Sequence, residues 1–272
     1  MKKVPVGYQV YSARELAEKD MEKVFAALKE MGYDGVEFAG FYGKTAEEVK
    51  GILERTGLKA VSSHVAYDLL LGDLDAIIEY HKAIGCEYIA IPFLDADERP
   101  DGKNFADVIR NIYAIGKKCK ENGITLLYHN HDFEFVKING MYGLDFLYRA
   151  VSAEYLQTEV DTCWVKFAGE DPAEYLSKYI GRAPIVHLKD FVGEKGDGTP
   201  YELINRSAAA TAQSFEFRPV GHGCQDVPAV VEAGIEAGAS WFVVEQDRWY
   251  DRCPREAARM SIETLKKIGL KD

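Results

Sequence analysis

Cysteine is scarce in these 272 residues: Cys86, Cys119, Cys163, Cys224 and Cys253 are scattered, odd in number and without a CxxC pair. Such a set supports neither a disulfide framework nor a thiolate zinc site. No run approaches the roughly 18 apolar residues of a membrane-spanning helix. The lysines near the N-terminus are followed by acidic residues, not by the apolar core of a signal peptide. These absences predict a reduced, cytoplasmic protein with no membrane partner. Positive charge is in deficit too, with 33 Lys+Arg against 44 Asp+Glu and a formal net charge of -11. Binding to a phosphate backbone needs clustered Lys and Arg, so nucleic acid is not an expected partner. No repeat, low-complexity tract or linker divides the chain, and 1–272 reads as one domain.

What is present is an alternation. Short β-branched or aromatic runs fall at 4–10, 35–38, 58–65, 88–93, 124–131, 156–162, 185–190 and 240–247. Between them, 13–31, 45–56, 68–84, 104–122, 171–180, 226–237 and 255–268 place apolar residues at helical spacing. Glycines in MGYDG, IGCEY, NGITL and AGASW stand where helix C-caps belong. Eight strands with intervening helices predict an α/β fold, a single (β/α)8 TIM barrel, for which a length near 250 residues is ordinary. A doubly wound open sheet is the competing arrangement. It usually carries a glycine-rich phosphate loop after its first strand, and YQVYSAREL has none. The long connection 191–225 departs from the period; it contains a candidate lid at 191–206 and a short extra strand at Phe215–Val220.

A barrel strand covered on both sides is normally almost all apolar. Here ionisable residues gather at the C-terminal strand ends: Glu37, His64, His129, His131, Asp161, His187, Lys189 and Glu245. Alternate residues share a face, so His129 goes with His131 and His187 with Lys189. Burying this ring calls for a compensating cation or a substrate. Carboxylate and imidazole donors from separate strands suit one divalent ion, Mn, Zn, Co or Mg. A polar pocket without metal is the plainer alternative. Arg218 and Arg248 are placed either to grip an anion or to form salt bridges.

The pieces GYDGVEF, VSSHV, YHNHDFEF, VDTCWVKFAGEDP, VHLKDF, PVGHGCQD and VVEQD occur in an order that resembles the sugar phosphate isomerase/epimerase superfamily. These xylose isomerase-like TIM barrels also include endonuclease IV and inosose dehydratase. The resemblance implies a metal held by Asp161, His187, Glu245 and a residue of strand five, where Glu is usual but this chain has His129, with Glu134 five residues on. Either His129 replaces the carboxylate or Glu134 reaches back. Trp164 and His222 also depart from the family pattern and, with Glu37, are expected to contact substrate. Glu245 is the expected general base, His64, His131 or Glu134 its partner, and Lys189 a stabiliser of enediolate charge. The implied reaction is a metal-dependent isomerisation or epimerisation of a sugar through proton abstraction beside a carbonyl. The alternative is a keto-sugar dehydratase or keto-glycoside lyase sharing that first step. A non-catalytic sugar-binding barrel and an endonuclease IV-like phosphodiesterase are the remaining rivals. The expected partner is a small sugar or keto-sugar, with homo-oligomers common among relatives.

Overall fold

The computed structural model describes residues 2–194 and 215–272. Eight strands have the burial that a closed parallel sheet demands: β1 (Val6–Gln9), β2 (Gly35–Ala39), β3 (Lys59–His64), β4 (Tyr88–Ile91), β5 (Thr125–His129), β6 (Gln157–Asp161), β7 (Ile185–Leu188) and β8 (Trp241–Val244). Each pairs in parallel with the next, and β8 closes on β1 through Val6↔Phe242 and Tyr8↔Val244. The (β/α)8 expectation is met, and the open doubly wound sheet is excluded.

Ten helices clothe the described barrel: α1 (Arg14–Met31), α2 (Ala46–Thr56), α3 (Tyr67–Gly72), α4 (Leu74–Ala83), α5 (Phe105–Glu121), α6 (Gly143–Ala150), α7 (Thr162–Phe167), α8 (Pro172–Ser177), α9 (Val227–Ala237) and α10 (Pro254–Lys267). Among them none is long and apolar enough to cross a membrane. Gly32 (φ 108°) and Gly238 (φ 93°) end α1 and α9 in the left-handed conformation that the glycine pattern predicted. The helix expected over 68–84 is two helices. Asp73 leaves helical geometry (φ -141°, ψ 67°) and caps α4 by accepting from the Ala76 amide, because a short carboxylate competes well for free N–H groups. α1 is likewise interrupted at Asp20.

Inside the barrel Val61, Ala90, Leu127, Ile185 and Val243 form an apolar floor. One alternation step further along the strands the inward residues become His129, His187 and Glu245. The floor thus supports a polar layer from below and keeps water out from that side. The extra strand is present as Glu216–Arg218, paired antiparallel with Asp190–Val192. Asp190 ties this excursion to β7: its carboxylate accepts from the amides of Phe191, Gly221, Gly223 and Gln225 at 2.9 to 3.1 Å. Of the lid expected at 191–206, residues 195–206 lie outside the described residues.

Candidate active site and metal centre

Three imidazoles, five carboxylates and one ammonium meet above the floor, all of them largely or wholly buried: His64, His129, His187, Glu37, Glu159, Asp161, Glu245, Asp247 and Lys189. The strand register makes the meeting unavoidable. Asp161 pairs with His187 across β6 and β7, and His129 with Glu159 across β5 and β6.

His187 is the hub. Its Nδ1 lies 3.0 Å from Glu245 Oε2, while Nε2 lies 2.8 Å from Glu37 Oε1 and 3.2 Å from Glu159 Oε1. His129 Nε2 stands 3.3 Å from Asp161 Oδ2 and 3.6 Å from Glu245 Oε2. Lys189 Nζ reaches Asp247 at 2.7 Å, Glu245 at 3.3 Å and Asp161 at 3.6 Å. His64 Nε2 bridges Glu159 at 2.6 Å and Glu37 at 3.1 Å.

Burial disfavours every one of these charges, and the neighbours decide the outcome. Burial presses His64 down, but Glu37 and Glu159 outweigh it and push its pKa up to about 10. His187 is raised well above its ordinary value by the same two carboxylates against the same penalty. Burial, with His129 and Lys189 alongside, drives His131 the other way, well below the ordinary imidazole range. Burial raises Asp247 to about 7 despite the opposing Lys189 ammonium. Glu245 stays ionised because Lys189, His129 and His187 overcome its burial.

The donors fit a divalent ion. His129, Asp161, His187 and Glu245 each offer a ligand atom within 4.8 Å of the others, and His64, His129, Glu159 and His187 form an overlapping group. Several of these atoms are buried without a hydrogen-bond partner: both ring nitrogens of His129, Nε2 of His187, Oδ2 of Asp161 and Oε2 of Glu159. Buried polar atoms are rarely left so, and a cation among them would satisfy several at once.

Some expected site residues are placed elsewhere. Glu37, expected against a substrate hydroxyl, has no exposure; Gln9 and Ser62 donate to its carboxylate, and His187 and His64 face it. It lies outside both groups of metal-type donors and against the imidazoles, the position from which a carboxylate can orient them. Glu134 does not reach back to the cluster. Its oxygens accept from Tyr128 OH at 2.6 Å and from the His131 amide at 2.8 Å, so His129 is the strand-five residue beside Asp161 and Glu245. Trp164 is fully buried behind His131, with Lys189 Nζ 5.0 Å from its ring centroid; it supports those side chains rather than lining the cavity. His222 is exposed in the loop after the extra strand, its amide donating to Pro219. Arg218 pairs with Glu216.

Glu159 and Asp247 are the polar residues that the sequence reading passed over. Each lies two positions from a recognised residue, Asp161 or Glu245, so strict alternation puts them on the same face.

A cavity of about 640 Å³ opens over this cluster, with His64, His129, His131, Lys189, Glu245 and Asp247 at its polar end. A second cavity, about 360 Å³ on the outer face between α1 and α10, contains none of these groups. His81 borders the first cavity from α4, away from the cluster. Burial holds its pKa below the ordinary value, with the Ile77 carbonyl only partly offsetting. The folded state keeps His81 neutral while the unfolded chain takes up a proton near pH 6.5. Stability is therefore lost as pH falls through that value toward the lower folded pKa. His64 and His187, raised by their carboxylates, act in the opposite direction over this range, so the check is a difference: on going from pH 7.5 to 5.5, Tm by calorimetry is expected to change more favourably in His81→Phe than in the parent protein.

The family model of the xylose isomerase-like TIM barrel matches residues 25–268. The chain belongs to that family. Within the xylose isomerase-like barrels, it is 25% identical over 266 residues to an inosose dehydratase of Geobacillus thermodenitrificans (strain NG80-2), covering 90% of this chain and 88% of that one. A sugar phosphate isomerase/epimerase structure from Parabacteroides distasonis ATCC 8503 superposes with a TM-score of 0.77 at 21% identity, covering 100% of this chain and 96% of the other. The IOLI protein, solved with a bound zinc atom, superposes with a TM-score of 0.72 at 13% identity over 97% of each chain. These likenesses establish the fold. These similar proteins are named for different reactions, one a dehydratase and one an isomerase/epimerase.

Proposed function

We propose that this chain is a divalent-metal-dependent lyase that eliminates water or an alcohol from a keto-sugar or keto-polyol. The observation that carries the reading is that Glu245 and Lys189, 3.3 Å apart, line the cavity's polar end together with the imidazoles His64 and His131. The likeness to an inosose dehydratase across 90% of the chain supports elimination over isomerisation.

His129, Asp161, His187 and Glu245 would hold the metal, with Glu37 and Glu159 facing the other nitrogen of His187. A divalent ion held by these four residues would supply Lewis-acid polarisation of a carbonyl, which makes the neighbouring C–H bond more acidic. Glu245 takes that proton. Lys189, fixed by Asp247 at 2.7 Å, lends positive charge to the electron-rich enolate that remains. The electron pair then expels the oxygen on the next carbon. His64, kept protonated by Glu37 and Glu159, gives that oxygen its proton, so that water or an alcohol departs and an unsaturated ketone is left.

The test is a panel of keto-polyols and keto-glycosides, including an inosose, incubated with metal-loaded protein in D₂O. Growth of enone absorbance that requires added Mn²⁺ or Zn²⁺ and disappears in Glu245→Gln supports the lyase. Deuterium incorporation without elimination would instead make the protein an isomerase or epimerase.

A further inference from the structure

We propose that the site takes a sugar-like head carrying an apolar substituent, an alkyl or aryl glycoside in chemical class, and not a bare monosaccharide. The inference rests on the polar end of the cavity being the sugar site, as proposed above, and concerns the other end.

The cavity has two chemically different halves. Every ionisable side chain that carries the proposed chemistry, apart from His64 on β3 and Glu37 on β2, comes from strands β5 to β8 or the residues that follow them. The opposite wall comes from β3 and the segments after β2, β3 and β4; it is mostly apolar, with Phe41, Val65, Ala66, Leu69, Ile77 and Phe93, and carries Ser63 and His81 as its polar members. A cavity of about 640 Å³ is within the range that holds drug-sized ligands. A free sugar presents hydroxyls around its whole rim. Two of those turned toward this wall could meet Ser63 Oγ or His81 Nε2; the rest would give up water without gaining a partner. A molecule with one polar and one apolar end satisfies both halves at once.

Leu69 is the most telling residue. It is 57% exposed although it borders the cavity, and it sits on the six-residue helix α3. Its side chain contributes little to the core, yet it extends the apolar wall at the mouth. Single exposed leucines are ordinary; one that continues an apolar cavity wall completes a binding surface. Val65 and Ala66 follow His64 immediately in sequence, so the polar and apolar halves adjoin where a head and its substituent would be linked.

The test separates this inference from the proposed reaction by reading binding alone. Methyl, butyl, hexyl and octyl β-glucosides, each below its micelle-forming concentration, are titrated calorimetrically into the metal-loaded protein. Affinity is expected to rise about threefold to fourfold per buried methylene until the wall is covered. In Leu69→Asn the rise is expected to flatten while the methyl glucoside binds as before; in Leu69→Phe it persists. A flat series, or no binding at any chain length, overturns the inference. A steep series accompanied by no turnover of any keto compound overturns the proposed lyase and leaves the apolar wall standing.

Discussion

Asp161→Asn is expected to strip the protein of bound divalent metal and to lower kcat/KM by at least about a thousandfold, a loss of about 4 kcal/mol of transition-state stabilisation, without unfolding the barrel. The two carboxylate oxygens have separate tasks. Oδ1 caps α7, accepting from the amides of Cys163 at 2.8 Å and Trp164 at 3.2 Å. Oδ2 faces His129 and Lys189 and has no hydrogen-bond partner. An asparagine carbonyl preserves the cap, whereas its amide nitrogen replaces the anionic donor with one that cannot ligate a cation. Asp161→Ala removes both tasks and would confound metal loss with a lost cap costing about 1 kcal/mol. Metal content by plasma mass spectrometry, with circular dichroism beside it, checks the separation. Full metal retention in Asp161→Asn would remove this residue from the ligand set.

The second large effect is on stability. Lys189→Met in metal-free protein is expected to cost about 3–5 kcal/mol, because removing one partner of a buried ionic group leaves the others uncompensated. For a chain of this size that is a fall in Tm on the order of 10 °C by differential scanning calorimetry. Methionine suits the stem, which passes the rings of Trp164 and Phe217, Nζ lying 5.0 and 5.2 Å from their centroids. The loss is therefore of charge rather than of volume. Asp247 is the carboxylate nearest the ammonium, so Lys189→Met with Asp247→Asn is expected to recover a substantial part of the lost Tm. Additive losses in the double variant would show that the Lys189–Asp247 contact is not the energetic link.

The barrel was legible in the sequence because two physical periods repeat without interference: near-continuous apolar runs for strands buried on both faces, and helical spacing for the layer outside. His129, Asp161, His187 and Glu245 stood out for the same reason, as ionisable residues at the ends of apolar runs. What stayed hidden depended on three-dimensional neighbours. Glu134 lies five residues from His129, close enough in sequence to reach back, yet Tyr128 and a backbone amide already hold it. Glu37 looks like any strand-end carboxylate until Gln9 and Ser62 are seen to converge on it from β1 and β3. Trp164 follows Asp161 by three positions, but the first turn of α7 carries it behind the cavity wall. Glu159 was detectable in principle, since alternation from Asp161 puts it inside, but a reading that stops at the last residue of each strand passes over it.

The division of the cavity between its two sets of strands has a consequence for how such a protein changes over generations. The segments after β2, β3 and β4 set the wall, while β5 to β8 carry most of the reacting groups. A mutation in the first set alters what is admitted and leaves the proton-handling groups undisturbed. One in the second set strikes the reaction itself. Selection for a new diet of substrates can thus work on Phe41, Leu69 or Phe93 while a working reaction is inherited whole. Grafting the segments that follow β2, β3 and β4 from one family member into another, with Glu37 and His64 left in place, becomes a practical way to move substrate range without rebuilding the chemistry.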